Sequence, residues 1–174
     1  MIADRIKSLV ESIPDFPKQG ITFRDITPIL LGSRLSYDIA DAFVQRMNED
    51  VDAVCAIESR GFFFGMLIAN RLGKPFIPIR KEGKLPGMTH SHTYDLEYGS
   101  STVEMHANVL NPGDKVLVHD DLLATGGTAA AAGEIVEKQN ASVSAFAFLV
   151  ELTDLNGRDK LIPYKSDLIT LAEY

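Results

Sequence analysis

Apolar and polar positions along the chain follow two periods, and the period switches from one segment to the next. Between Ile2 and Ile13 the apolar residues Ile6, Leu9, Val10 and Ile13 fall on one side of a helix, which predicts an amphipathic helix. "PDFPKQG" breaks it with two prolines and a glycine. "ITFRDITPILL" reads as a short extended piece followed by a turn at Pro28. Tyr37 to Met47 predicts a second helix with Ile39, Ala40, Phe43, Val44 and Met47 facing inward. Ala53–Ile57 is an apolar, β-branched run of strand length, and Gly61–Leu72 an apolar helix stopped by Gly73-Lys74-Pro75. Phe76–Ile79 predicts another strand. "RKEGKLPGMTHSHTYDLEYGSS" shows no stable period and many turn residues, so it reads as one long loop. Thr102–His106 predicts a strand, "NPGD" a turn, and Val116–Val118 a buried strand. A helix follows from Ala129 through Ile135 and Val136, then strands at Val143–Val150 and Leu168–Leu171.

Strands alternating with helices predict an α/β fold: an open, mostly parallel sheet flanked by helices. Ligands of such sheets bind at the carboxyl ends of the strands. Three loops therefore share one rim: "ESRG" after Ile57, "RKEGK" after Ile79, and "DDLLATGGT" after Val118. The last runs from an apolar strand through Asp120 and Asp121, then through Ala124-Thr125-Gly126-Gly127-Thr128 into a helix. A Gly/Thr turn before a helix is an anion cradle, because the first turn leaves N–H groups unpaired and its dipole favours negative charge. Two carboxylates would repel a bare phosphate. They fit a ligand that also carries hydroxyls, such as a sugar phosphate, with a divalent cation held through water.

Ser59-Arg60-Gly61 predicts a second anion site, with a forked guanidinium at a helix start. Arg80, Lys81 and Lys84 crowd the third loop and suit a polyphosphate. No lysine follows the second glycine as a Walker A loop requires, and no G-x-G-x-x-G occurs. His90 and His92 lack a third metal ligand at suitable spacing and read as loop residues. Tyr94–Gly99, "YDLEYG", reads as a lid that would exclude water.

The chain has 174 residues, enough for one domain with a full core. A net charge of -7 argues against a surface that coats nucleic acid. Cys55 is the sole cysteine, which excludes an internal disulfide and fits a reducing compartment. It lies in an apolar run and reads as core. No apolar run approaches the ~20 residues of a membrane span. The expected location is the cytoplasm.

These blocks resemble the type I phosphoribosyltransferases. "VLVHDDLLATGGT" is similar to the family's motif for phosphoribosyl pyrophosphate (PRPP). "PDFPKQGITFRDITPIL", "ESRGFFFG", "IRKEGKLPG", "YDLEYG" and "LVELTDLNGRDKL" resemble, in that order, the adenine-using members of the family. The likeness runs from Pro14 to Leu161. It implies one phosphoribosyltransferase domain over 1–174, with a small N-terminal hood over 14–30 and a long flexible lid loop over 81–101. It implies transfer of 5-phosphoribosyl from PRPP to N9 of adenine with Mg²⁺, giving AMP and pyrophosphate in purine salvage.

By the same resemblance, Ala124 to Thr128 cradle the 5′-phosphate, and Asp120 and Asp121 hold the ribose hydroxyls. Ser59 and Arg60 lie in the pyrophosphate loop, and Arg60 and Lys84 meet the pyrophosphate. Arg80 joins them from the neighbouring subunit of a homodimer. The Glu58–Ser59 bond falls where the family has a non-proline cis peptide. Thr22, Phe23 and Arg24 lie where the hood touches adenine. Glu97 and Tyr98 match lid residues near the purine, with Glu97 exchanging the N7 proton. A non-catalytic PRPP-sensing regulator, or a transferase for another purine base, are the alternative readings.

Overall fold

A computed structural model of the chain describes residues 1–95 and 99–174. Seven strands form the central sheet in the order β5-β6-β4-β3-β7-β8-β9. They are β3 (Ala53–Ile57), β4 (Phe76–Lys81), β5 (Thr89–Asp95), β6 (Ser100–His106), β7 (Lys115–Leu123), β8 (Ser142–Glu151) and β9 (Asp167–Glu173). β4, β3, β7, β8 and β9 run parallel. β6 and β5 add an antiparallel hairpin beyond β4. Helices α1 (Ile2–Leu9), α3 (Ser33–Arg46) and α4 (Gly61–Leu72) cover one face, and α5 (Gly127–Lys138) covers the other.

The parallel strands are buried on both faces, which is why they read as near-continuous apolar runs. In β7, Leu117 points into the core with Ile39, Phe43, Phe64 and Ile68, while Val116 and Val118 point into the core with Ile135, Val136, Phe146 and Phe148. Cys55 is fully buried beside Met105, and burial pushes its thiol pKa up, so it is inert core.

Several elements differ from the sequence expectation, the main ones for local reasons. The first helix ends at Leu9 rather than Ile13, because Glu11–Ile13 forms strand β1, paired antiparallel with β2 (Phe23–Asp25). Ile6 and Val10 are buried, but Leu9 and Ile13 are not, so the helical stripe was two residues deep. Pro28 opens a single helical turn, α2 (Thr27–Leu30), where proline's missing N–H costs nothing.

β7 does not stop at the acidic pair. It continues through Asp120 and Asp121 to Leu123, because backbone pairing with the ten-residue β8 is indifferent to side-chain charge.

The long loop expected over 81–101 is largely the β5–β6 hairpin. Its period of two was present in the sequence but carried by His90, His92 and Tyr94, which are half-buried while Ser91, Thr93 and Asp95 are exposed. Tyr94 packs on the α5 side of the core. Polar and aromatic residues on the inner face masked the alternation.

All four histidines lie in strands of the sheet, and His119 is the one that is fully buried. It lies edge-on to Phe43 at 5.2 Å between ring centroids. Among the described residues neither ring nitrogen has a hydrogen-bond partner, and burial pushes its pKa down to about 3, opposed by the Ala147 backbone. A lowered value in the fold means that the unfolded chain takes up the proton first. The stability due to a neutral His119 is therefore complete above pH 6.5 and lost as pH falls towards 3. His119→Leu is expected to remove a slope of about 1.4 kcal/mol per pH unit from the acid limb. It should cost nothing at pH 7, since it also removes two unpaired polar atoms. Denaturant titrations from pH 7 to pH 4 check this, and an unaltered acid slope would contradict it.

Candidate active site

A cavity of about 500 Å³ is lined by Ile57, Ile79 and Val103, apolar residues near the rim ends of three adjoining strands. Beside them β3 passes into α4 through Glu58-Ser59-Arg60, with a cis Glu58–Ser59 peptide as the family resemblance implies. A Cβ on Gly61 would lie 3.0 Å from Asp120 Oδ1 and 3.1 Å from its Cα. Glycine there lets the N-terminus of α4 rest directly on β7. That contact sets Arg60 against the acidic pair. Its Nε lies 2.9 Å from Asp121 Oδ2, and its guanidinium sits 4.7 Å above the Phe23 ring. Its Nη1 donates to the Arg24 carbonyl at 3.4 Å. One side chain thus joins the sheet rim to the N-terminal hairpin.

The two carboxylates have different surroundings. Asp120 accepts the backbone N–H of Asp121 at 2.8 Å, and burial together with the neighbouring charge of Asp121 raises its pKa well above the usual range. Burial raises Asp121 as well, but the charge of Arg60 opposes it. The ion pair with Arg60 is off the hydrogen-bond line, and among the described residues Asp121 Oδ2 has no hydrogen-bond partner. A buried acceptor with spare capacity is suited to a hydroxyl donor. No cluster of three or more His, Cys, Asp or Glu side chains among the described residues is arranged to hold a metal. Two adjacent carboxylates without a third ligand suit an ion that takes its other oxygens from substrate and water.

The opposite wall comes from β4. Arg80 Nε donates to Glu58 Oε2 at 3.0 Å, the Lys81 N–H donates to the same oxygen at 3.2 Å, and the Lys84 ammonium pairs with Glu58 Oε1. Burial opposes ionisation of Glu58, but the bonds from Lys84, Arg80 and Lys81 outweigh it and its pKa is lowered. Glu104, buried on β6, accepts the N–H groups of Lys84 and Leu85 at 3.0 and 2.9 Å and the Thr89 hydroxyl at 3.3 Å. Arg80 lines the cavity of its own chain.

Ala124–Thr128 line a smaller adjoining pocket of about 70 Å³ that shares Asp120, Leu122 and Thr128 with the large one. The helix begins at Gly127, two residues before the expected Ala129. Its N-cap is Gly126, left-handed at φ 76°, and no side chain caps it. Thr128 is free of capping duty and shares a hydrogen bond with the Tyr94 hydroxyl at 2.9 Å.

Of the expected adenine-binding residues, Phe23 lines the large cavity and Thr22 and Arg24 do not. The Arg24 side chain turns to the Ser12 hydroxyl and stacks 4.2 Å from the Tyr174 ring centre, drawn by the C-terminal strand. Ser59, Arg60, Arg80, Asp120 and Asp121 meet in one cavity, and Lys84 joins them through Glu58. Glu97 and Tyr98 lie outside the described residues. Tyr94, expected in the lid block, instead lines the cavity from β5, and the sequence reading assigned no role to Glu58 and Glu104. Glu58 lies inside the "ESRG" block, where a carboxylate amid basic loops was a usable signal. Glu104 sits in a mixed strand and gave none.

Residues 29–170 match the phosphoribosyl transferase domain family. An adenine phosphoribosyltransferase of Cytophaga hutchinsonii is 45% identical, over 100% of this chain and 97% of its own length. The crystal structure of adenine phosphoribosyltransferase from Thermoanaerobacter pseudethanolicus superposes with a TM-score of 0.92 at 42% identity, covering 99% of both chains. That of Saccharomyces cerevisiae, complexed with an imino-altritol bisphosphate and adenine, does so at 0.92 and 40%, covering 98% of both. Full-length similarity on this scale, with the rim geometry above, makes the chain a member of the phosphoribosyl transferase family.

Proposed function

We infer that the chain is an adenine phosphoribosyltransferase, transferring 5-phosphoribosyl from PRPP to adenine and releasing pyrophosphate. The observation that carries this is the joined pair of pockets: a phosphate-sized nest, then two carboxylates, then three cationic side chains on one rim. That sequence of chemistries is the outline of PRPP. The adenine phosphoribosyltransferases among its relatives supply the base.

The nest Ala124–Thr128 takes the 5′-phosphate on backbone N–H groups and the start of α5. Asp120 and Asp121 accept the ribose hydroxyls. Breaking the C1–oxygen bond puts positive charge on the sugar ring, as in glycoside transfer, and negative charge on the departing pyrophosphate. Arg60 and Lys84 stabilise that growing anion, and Arg80 joins them there. Asp120 and Asp121 would hold Mg²⁺, which would supply further charge neutralisation when bound. Adenine N9 forms the new bond to C1 through its lone pair as the C1–oxygen bond to pyrophosphate breaks, and the ring's one imidazole proton leaves from N7. Phe23 offers the apolar face on which the purine stacks, and Glu97, placed only by its position between Asp95 and Gly99, exchanges the N7 proton.

A homodimer is supported by the outer face of α4, where Phe63 and Met66 stand 44% and 46% exposed one turn apart. A second copy covering them would also hold the helix that carries Arg60. The cytoplasm is supported by the single, buried thiol. No described helix is long and apolar enough to cross a membrane.

With PRPP and Mg²⁺, the chain is expected to turn over adenine and not hypoxanthine, guanine or xanthine. Turnover of another base instead would reject the hood assignment, and binding of PRPP without any turnover would favour the sensing regulator. Asp120→Asn is expected to cut turnover by about a hundredfold or more and yet stabilise the free protein. The sign follows from the raised carboxyl: the neutral form is favoured in the fold, so stability present below pH 4 is lost as pH rises through the raised value. At pH 7 the amide relieves that cost, by about 1 kcal/mol or a rise of about 2–4 °C in Tm. A fall in Tm would contradict it.

A further inference from the structure

Beyond β8 the chain makes two 3-10 turns, Thr153–Leu155 and Gly157–Tyr164, and the second lies against the phosphate nest. A Cβ on Gly126 would meet the Gly157 carbonyl oxygen at 2.3 Å, and a Cβ on Gly157 would meet the Ala124 carbonyl oxygen at 2.3 Å. Two backbones therefore cross at a pair of glycines, with room for a side chain on neither.

The crossing segment is anchored on both sides. Arg158 forks onto Glu151, a buried carboxylate at the end of β8, with Nε 2.5 Å from Oε1. Tyr164 donates to the Ala130 carbonyl in the first turn of α5 at 2.6 Å, and its ring fills the space beside Gly133, whose Cβ would lie 2.5 Å from it.

Between these anchors stands Lys160. Its Nζ is 3.7 Å from the point that a Cβ on Gly127 would occupy, over the first residue of α5 and beside the Tyr94 ring. Helix N–H groups and dipole supply only partial charge to an anion there. Lys160 adds a whole one. Of the other cations near the cavity, Arg60, Arg80 and Lys84 are paired with Asp121 and Glu58, and Lys81 lines the large cavity on the β4 side, away from the nest. Among the described residues Lys160 has no ion-pair partner.

We propose that Lys160 is a binding residue for the 5′-phosphate of PRPP and AMP, and that Gly157 is the positioning residue that gives the nest its shape. This rests on the phosphoribosyl reading of the nest. The segment after β8 is then a second wall of the phosphate site, contributed from outside the strand–loop–helix motif. Pyrophosphate, at the far end of the cavity, does not depend on it.

Calorimetric titration of the full chain with AMP and, separately, with pyrophosphate and Mg²⁺ tests this. Lys160→Met keeps the apolar stem of an exposed side chain and removes the charge. It is expected to weaken AMP about tenfold while leaving pyrophosphate within about twofold, and Lys160→Arg to retain most of the affinity. In turnover, KM for PRPP should rise and KM for adenine should not. Gly157→Ala is expected to raise KM for PRPP similarly with the lysine in place. AMP affinity unchanged in Lys160→Met, or AMP and pyrophosphate weakened equally, would overturn the proposal. Wild-type chain that binds neither AMP nor PRPP would instead remove the phosphoribosyl reading on which it rests.

Discussion

The cations on the rim must stay in place before a polyanion arrives, and the chain meets this constraint with its own carboxylates. Glu58 holds Arg80 and Lys84, and Asp121 holds Arg60. Unpaired, three positive side chains on one side of a half-enclosed cavity would repel each other and splay into solvent. Paired, they are held at the rim of the cavity, where the proposed function puts pyrophosphate. The pairing is also expendable, since a carboxylate carries one charge and pyrophosphate several. On the proposed function, Glu58 is an internal stand-in for the leaving group. The Glu58–Ser59–Arg60 turn carries both halves of the arrangement: a carboxylate for the β4 cations and a cation for the β7 carboxylate.

Backbone contacts fix the distances. Gly61 allows α4 to touch β7, so Arg60 reaches Asp121, while Gly65 one turn on allows the same helix to lie over Ala56 and His119. Gly126 and Gly157 allow the phosphate nest to be pressed between α5 and the segment after β8. The buried, unpartnered His119 and the raised carboxyl of Asp120 lie within that frame. Both cost stability, as groups at a working site commonly do.

Much of this was legible in the sequence because a parallel sheet buried on both faces leaves unmistakable apolar runs. Ala53–Ile57 and Gly61–Leu72 were placed to the residue, and the three loops on one rim followed from the strand order. Side chains that act through the backbone or through a partner were less visible. The β5 strand was hidden because its inward residues are His90, His92 and Tyr94 rather than valine or isoleucine. The turn of Arg24 towards Tyr174 depends on a contact between the second strand of the chain and its last residue, which no local pattern encodes. Gly157 and Lys160 lie in a block that could be quoted from the sequence, but their closeness to Gly126 and Gly127 exists only once β8 is threaded beside β7.

The most direct test of the stand-in role is pyrophosphate affinity in Glu58→Gln, measured calorimetrically with Mg²⁺ beside the unaltered chain. An amide keeps the shape and most of the hydrogen bonds but no longer competes by charge for Arg80 and Lys84. The account predicts tighter binding, about threefold to tenfold. Weaker binding by a variant that remains folded would mean that Glu58 serves only to position the two cations, and that its charge does not compete with the leaving group.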